Sequence, residues 1–240
     1  MKQYKAIFLD WDDTIGDFAL SEKCALTTMF ELHGLYQYTD YESFVHSYSE
    51  HNKALWLLYG RNEVSKDELK FDRFLYPLTQ ACSMPDSAET HVLARRMCED
   101  FLRMTNHFAA LLPGADNLVR RLAKRYPLTI VTNGFIESQY YKLRKSGLED
   151  CFSHIILSEE VGAQKPNPKI FEEALRISGV TADETLMIGD SYTSDIEGAR
   201  NANIDQMWFR RSDEPLTDGQ TATFIVNSYQ QITDILADGK

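Results

Sequence analysis

The chain has 240 residues, a formal net charge of −11 and a hydrophobic content of 43%. This length suits one large domain, or a core domain with a smaller one inserted, and the hydrophobic content allows a sizeable core. The acidic excess argues against a nucleic-acid polymer as the partner, but it does not exclude a small phosphorylated ligand beside a bound cation. The apolar stretch after the N-terminus is too short for a signal peptide or a membrane span, so we expect a cytoplasmic protein without membrane contact.

The first predicted element is a strand, because residues 4–9 form a continuous apolar run that stops at Asp10. No convincing strand follows before about residue 105. Amphipathic patterns instead predict helices over residues 21–33, 41–59, 65–81 and 88–112, with breaks near Gly34, Gly60 and Pro85. The simplest interpretation is an all-helical domain, residues 17–105, inserted after the first strand.

Beyond the insertion, strand and helix patterns alternate. Continuous apolar runs predict strands that are buried on both faces, as in a parallel sheet. These runs cover residues 128–131, 154–157, 185–188 and 206–209, and helical patterns cover 118–124 and 168–177. Asn167 is a candidate cap for the second of these helices, and Pro168 suits its first turn. The alternation predicts an α/β fold, a doubly wound Rossmann-like parallel sheet built from residues 1–16 and 106–240.

The four cysteines, Cys24, Cys82, Cys98 and Cys151, show no Cys-x-x-Cys spacing. A zinc site or a redox pair is therefore an unfavourable interpretation. We expect these residues to be small buried hydrophobic groups in a reducing compartment.

An acidic cluster follows the first predicted strand, in the segment Phe8-Leu9-Asp10-Trp11-Asp12-Asp13-Thr14. Its three carboxylates would repel one another in a site of low dielectric constant, and a divalent cation such as Mg²⁺ removes that penalty. Asp10 could then attack phosphorus as a nucleophile. Asp12 could protonate the leaving alkoxide and later activate water. The competing interpretation is an ordinary polar turn at a strand end.

Two further motifs supply groups that bind phosphate. Thr132, Asn133 and Gly134 end another predicted strand, where a hydroxyl and backbone N–H groups can hold phosphate oxygens, although simple turn chemistry explains them equally well. Lys165 lies between turn residues in a later loop and could neutralise both the nucleophile and the transferring phosphoryl group. A solvated surface lysine is the default alternative for such a residue.

The fourth motif is Gly189-Asp190-Ser191-Tyr192-Thr193-Ser194-Asp195. Asp190 ends a predicted strand and could bind the metal directly. Asp195 could bind the metal through water, could orient Lys165, or could simply be an acidic residue favoured near a helix start. All four motifs fall at the carboxyl ends of predicted strands, where open α/β sheets bind ligands, and together they supply what phosphoryl transfer needs.

In this order the motifs resemble the haloacid dehalogenase-like hydrolase superfamily over nearly the whole chain. The resemblance implies that Asp10 is the nucleophile and Asp12 the general acid/base. It implies that Asp10, the Asp12 main-chain carbonyl and Asp190 bind Mg²⁺, and that Thr132 and Lys165 hold the phosphoryl group. The insertion would be the family's helical cap, which closes over the site and selects the substrate. Dehalogenase members lack an aspartate at the Asp12 position, so its presence implies phosphatase or phosphomutase chemistry.

A finer resemblance is to a bacterial subgroup of nucleoside 5′-monophosphate phosphatases that act on pyrimidine nucleotides. It is carried by His51-Asn52-Lys53-Ala54-Leu55-Trp56, Phe71-Asp72-Arg73-Phe74, Val131-Thr132-Asn133-Gly134-Phe135 and Ser158-Glu159-Glu160-Val161-Gly162. It implies a 5′-nucleotidase that clears unwanted nucleotides. Candidate groups for the base or the ribose are Asn52, Lys53 and Arg73, and the aromatic candidates for stacking are Phe18, Trp56, Tyr59 and Phe74. Aromatic residues at helical spacing more often pack in a core.

Two other functions stay open at this point. A phosphatase or mutase for sugar phosphates or phosphoglycolate would share the core motifs and differ in the cap. A non-catalytic binding protein with the same fold would have lost Asp10, Asp12, Lys165 or Asp190, and all four are present. We expect a small-molecule phosphomonoester as the partner. The sequence does not reveal the oligomeric state, and a monomer is our working expectation.

Overall fold

The computed structural model describes residues 2–211 and 215–237. It forms two compact units. One consists of the chain up to Asp17 together with the chain from Ala110 onward, and the other is Phe18–Ala109. Among the described residues, no helix combines the length and the apolar character that crossing a membrane requires.

The second unit is helical. It contains α1 (Phe18–Leu32), α2 (Tyr41–Gly60), α3 (Lys66–Gln80) and α4 (Ala88–Phe108). Polar side chains cap the N-termini of three of these helices. Asp40, Ser65 and Ser87 each accept a hydrogen bond from a backbone N–H of the first turn. The four helices enclose their own apolar core, which includes Met29, Phe44, Phe74 and Phe101.

The first unit is built on a sheet of six parallel strands in the order β3-β2-β1-β4-β5-β6. The strands are β1 (Ala6–Leu9), β2 (Leu128–Thr132), β3 (His154–Leu157), β4 (Thr185–Gly189), β5 (Asp205–Phe209) and β6 (Phe224–Val226). The strand order reverses at β1, which makes the sheet doubly wound as predicted and places the switch point between β1 and β4. Leu9 is paired with Ile130 on one side and Ile188 on the other, so the central strands end at the same edge.

The helices of this unit are α5 (Ala115–Ala123), α6 (Ile136–Ser146), α7 (Ser158–Val161), α8 (Pro168–Ser178), α9 (Gly198–Asn201) and α10 (Tyr229–Ala237). At the start of α8 the Asn167 side chain accepts a hydrogen bond from the backbone N–H of Lys169, and Pro168 occupies the first turn. The prediction that Asn167 caps the N-terminus of α8 is therefore confirmed.

Both faces of the sheet are covered. Ile7 and Leu9 point into one apolar cluster, and Phe8 points into another that contains Ile170 and Phe171 of α8. Successive side chains of a strand alternate between faces, so a strand covered on both sides must be apolar at every position. This explains why the central strands appeared in the sequence as unbroken apolar runs.

Two predictions about local structure are corrected, and one strand was not predicted. The last helix of the insertion ends at Phe108 rather than at residue 112, because the backbone N–H of Leu112 bonds to Ile15 at the edge of the sheet unit. The strand β6 was not predicted. All four cysteines are free thiols, but only Cys82 is buried, and the other three are half-buried.

Candidate active site

Two acidic residues lie where neighbouring central strands end. Asp10 directly follows β1 and Asp190 directly follows β4, and the backbone N–H of Asp10 donates to the carbonyl of Ile188, at 3.0 Å. Asp195 lies in a short π-helical turn that precedes α9. One carboxylate oxygen of each of these three aspartates lies within 4.8 Å of the others. Residues that are far apart in the chain thus form one acidic cluster.

Lys165 is buried inside this cluster. Its Nζ donates to Oδ1 of Asp10 and to Oδ1 of Asp195, each at 2.6 Å. Burial alone would lower the pKa of Lys165, but the charges of Asp10 and Asp195 outweigh it and raise that pKa. Lys165 is therefore a charged side chain between two carboxylates. The alternative interpretation, a solvated surface lysine, is wrong, because Lys165 is buried.

The loop after β2 holds the backbone of Lys165. The Asn133 side chain accepts a hydrogen bond from Lys165 N at 2.8 Å, and it donates one to Lys165 O at 2.9 Å. Beside it, the buried Thr132 hydroxyl accepts a hydrogen bond from Gly134 N at 3.1 Å. The amide of Asn133 is thus engaged with Lys165 itself, and Thr132 stands at the strand end next to it.

Asp195 is fully buried, and both of its carboxylate oxygens have partners. Oδ1 accepts from Lys165, and Oδ2 accepts from Ser191 N at 3.0 Å. A side chain at Gly189 would block this arrangement, because a Cβ there would lie 2.6 Å from the Asp195 Cβ. Of the roles weighed from the sequence, these contacts favour the one in which Asp195 orients Lys165.

Asp190 is held by two contacts. Its Oδ1 accepts a hydrogen bond from the Thr14 hydroxyl at 3.2 Å, and its carbonyl accepts one from Trp208 Nε1 at 2.8 Å. Burial, followed by the nearby charges of Asp195 and Asp13, raises the pKa of Asp190 to about 7. Burial also raises the pKa of Asp10, an effect that Lys165 partly offsets.

The carboxylate of Asp12 is bound by two residues that the sequence did not single out. Gln139 Nε2 donates to Oδ2 and Lys142 Nζ donates to Oδ1, each at 2.7 Å. Both residues lie on α6, which follows the Thr132-Asn133-Gly134 loop. A glutamine and a lysine in an amphipathic helix look like ordinary surface residues, so the sequence offered no signal for this contact.

The donor set of the cluster fits a hard divalent cation. Three carboxylates face one ammonium in a buried place. Burial is the largest cause of the raised pKa values of Asp10 and Asp190, and the neighbouring carboxylates add to it, so ionising the whole cluster without a cation is unfavourable. Mg²⁺ prefers such oxygen donors and is commonly bound by one or two carboxylates together with substrate phosphate.

The residues predicted to bind a nucleoside lie in the helical unit. Lys53 is exposed, and Trp56 is half-buried with its ring edge-on to Tyr59, at 5.8 Å between centroids. Asn52 Oδ1 and Arg73 Nε are buried and have no hydrogen-bond partner among the residues that the structure describes. The Arg73 guanidinium packs against the ring of Phe101, at 4.5 Å from its centroid.

One stacking candidate is contradicted. Phe74 is fully buried and packs against Tyr48 and Phe101 inside the helical unit, at 5.4 Å between centroids in both pairs. Its ring therefore fills the interior of this unit and offers no face to a ligand. For Phe74 the core-packing interpretation holds.

Comparison with protein families gives a match over most of the chain. Residues 4–203 match the family described as haloacid dehalogenase-like hydrolase. The chain belongs to this family. The doubly wound sheet is therefore that of a haloacid dehalogenase-like hydrolase.

The chain also resembles individual members of the family over nearly its whole length. YfnB of Bacillus subtilis, named as a HAD-hydrolase, is 33% identical over 237 residues, which is 98% of this chain and 97% of YfnB. PynA of Streptococcus pneumoniae, named a pyrimidine 5′-nucleotidase, is 34% identical over 236 residues, which is 97% of this chain and 95% of PynA. A glyceraldehyde 3-phosphate phosphatase of Pyrococcus abyssi is 33% identical over 213 residues, or 86% of this chain and 81% of that protein.

Among solved structures, the crystal structure of YfnB bound to magnesium superposes with a TM-score of 0.83 at 31% identity. The superposition covers 98% of this chain and 99% of YfnB. The chain is thus similar both to enzymes named for nucleotides and to one named for a sugar phosphate, within one family of hydrolases.

Proposed function

We propose that the protein is a Mg²⁺-dependent phosphomonoesterase that forms a phosphoryl-enzyme on Asp10. The observation that carries this proposal is the position of Lys165 Nζ, 2.6 Å from the Asp10 carboxylate, inside a cluster whose other members are Asp190 and Asp195. A nucleophilic carboxylate, a fixed cation and an oxygen-rich metal site are the parts that phosphoryl transfer requires.

The reaction follows from the roles of four side chains. Asp10 attacks phosphorus and forms a bond to it, while the bond from phosphorus to the ester oxygen breaks and Asp12 donates a proton to that oxygen. Asp12 then takes a proton from water, which attacks phosphorus and releases Asp10 and inorganic phosphate. Lys165 and the Thr132 hydroxyl hold the phosphoryl oxygens throughout.

Mg²⁺ would be held by the carboxylates of Asp10 and Asp190 and by the main-chain carbonyl of Asp12, with Asp195 behind Lys165. When bound, the ion would neutralise phosphoryl charge and align the phosphoryl group with Asp10. The oxygen donors of the buried cluster, whose ionised form a cation would stabilise, support this assignment.

We further propose that the substrate is a nucleoside 5′-monophosphate, with Asn52, Lys53, Trp56 and Arg73 contacting the nucleoside. Two observations support it. PynA, named a pyrimidine 5′-nucleotidase, is similar over 97% of the chain. Asn52 and Arg73 each keep a buried polar atom without a partner in the described structure, and a base or ribose carries the donors and acceptors that such atoms need.

A panel of phosphomonoesters tests the substrate class. Phosphate release is measured with Mg²⁺ for pyrimidine and purine nucleoside 5′-monophosphates, glyceraldehyde 3-phosphate and phosphoglycolate. We expect the highest kcat/KM for a pyrimidine nucleotide. The relative named for glyceraldehyde 3-phosphate makes that sugar phosphate the second candidate. If any sugar phosphate is turned over faster than every nucleotide, the nucleotidase assignment is wrong.

A separate experiment tests the phosphoryl-enzyme. Acid quenching during turnover, followed by mass spectrometry, is expected to show one added phosphoryl group on the peptide that contains Asp10. Asp10→Asn is expected to give neither phosphate release nor the added mass, because an amide is a poor nucleophile. Full turnover by Asp10→Asn, or turnover that survives removal of Mg²⁺ by EDTA, would contradict the mechanism.

A further inference from the structure

The Asp12 carboxylate is held at both of its oxygens by one helix. Gln139 Nε2 bonds to Oδ2 and Lys142 Nζ bonds to Oδ1, each at 2.7 Å. The two donors stand three positions apart on α6, so they lie on the same side of the helix, one turn apart. One rigid element therefore fixes where the carboxylate points.

Burial sets these two donors apart from ordinary helix surface residues. Gln139 is 4% exposed and Lys142 is 6% exposed, although both residue types are usually found at the surface. Gln139 also keeps its Oε1 buried without a hydrogen-bond partner among the described residues. An unsatisfied buried acceptor destabilises the folded state, so an apolar side chain would serve better if packing were the only requirement.

The loop after β2 makes room for this contact. A Cβ at Gly134 would lie 2.6 Å from the Gln139 Cδ and would overlap its Nε2, so only glycine leaves the Gln139 amide in place. The same loop carries Thr132 at the end of β2. The glycine that the sequence assigned to phosphate binding thus has a second reason to be there, which is access of Gln139 to Asp12.

We propose that Gln139 and Lys142 are positioning residues that hold the Asp12 carboxylate in the orientation needed for proton transfer. This inference rests on the proposed function, in which Asp12 gives a proton to the leaving alkoxide and later takes one from water. Without the two donors, the carboxylate rotates among other conformations and is aimed at the ester oxygen for a smaller fraction of the time. Only the steps in which Asp12 moves a proton should then slow down.

Two substrates with different leaving groups distinguish a role in positioning Asp12 from a general structural role. An alkyl ester such as a nucleoside monophosphate releases a basic alkoxide that needs a proton, whereas p-nitrophenyl phosphate releases a phenolate that does not. Alcohol release is measured in single turnovers with Mg²⁺, so that it reports the first step alone. The variants are Lys142→Met and Gln139→Met, each of which keeps an unbranched side chain of similar length and removes the donor.

We expect each variant to release alcohol from the nucleotide at least about tenfold more slowly. The slowing should not exceed the loss of about 10²–10⁴-fold that is typical when general acid catalysis is removed entirely. Release of p-nitrophenol should stay close to that of the wild type, and the substrate concentration that gives half of the maximal single-turnover rate should be unchanged. Lys142→Arg should restore the rate, because it returns a donor to Oδ1. Lys145→Met is the matched control, since Lys145 is an exposed lysine on the same helix.

A double-mutant cycle completes the test. In an Asp12→Asn background, adding Lys142→Met should change the rate by no more than about twofold, because the group that Lys142 orients is already lost. Equal slowing of both esters, or slowing that persists in the Asp12→Asn background, would overturn the inference. Circular dichroism first establishes that each variant is folded. Absence of wild-type turnover would instead refute the proposed function.

Discussion

The metal-free protein should become less stable as the pH rises, and Asp190 should be a main cause. Burial and the neighbouring carboxylates raise the pKa of Asp190 from 3.8 to about 7. The folded protein thus holds this proton more tightly than the unfolded chain does. The stabilisation is fully present below the unfolded pKa near 4 and is lost as the pH rises toward 7.

The size of the effect follows from the shift. A rise from 3.8 to about 7 corresponds to at most about 4 kcal/mol of the free energy of unfolding. Asp10 acts in the same direction, because burial raises its pKa as well. Mg²⁺ should reverse the loss, since a cation that binds the folded state and favours the ionised carboxylates stabilises that state by mass action.

Urea unfolding in EDTA and in Mg²⁺, between about pH 5 and pH 8, measures this prediction. The stabilisation by Mg²⁺ should be largest at the high end of that range. Asp190→Asn should flatten the pH dependence in EDTA and make the metal-free protein more stable than wild type at about pH 8. Glu172→Gln is the matched control, because it removes the same charge at an exposed position on α8. The reasoning is refuted if Asp190→Asn and wild type show the same pH dependence in EDTA.

Three further outcomes are expected. Lys165→Met leaves the Asp10 and Asp195 carboxylates facing each other in a buried site, so it should destabilise the metal-free protein by about 3–5 kcal/mol in urea unfolding. Gly189→Ala introduces a Cβ against Asp195 and should cost about 1–3 kcal/mol in the same measurement, whereas an unchanged midpoint would show that the turn can move aside. Asn133→Ala removes two hydrogen bonds to the Lys165 backbone and should lower kcat more than it raises KM, as steady-state kinetics would show.

Much of the fold could be predicted because the sheet imposes a simple rule on sequence. A strand covered on both faces must be apolar throughout, as Phe8 shows by pointing away from Ile7 and Leu9 into a separate cluster. The rule fails at the edge, where β6 has three residues and Ile225 is 44% exposed. Its apolar signal is too short to separate from a loop, so it was missed.

The acidic part of the site could be predicted for a related reason. Asp10 and Asp190 follow adjacent strands, so a correct strand assignment brings their backbones together without any knowledge of the side chains. The partners of Lys165 depend instead on how a loop packs. Its Nζ meets a carboxylate 155 positions away in the chain, through a loop that Asn133 holds in place. Sequence spacing carries no information about such a contact, and the choice among roles for Asp195 had to stay open.

Two glycines show why the residues packed around the candidate site were the hardest to predict. Gly134 and Gly189 each follow or end a central strand, and each leaves room for a side chain from a later segment: Gln139 in one case, Asp195 in the other. In both cases the glycine leaves space for a polar group that bonds to a side chain of the candidate site: Gln139 bonds to Asp12, and Asp195 bonds to Lys165. A glycine at a strand end looks in sequence like a turn or an anion-binding loop. Here the space that the glycine leaves is occupied by the side chain of another residue. The sequence cannot identify that residue, because only the fold brings the two together.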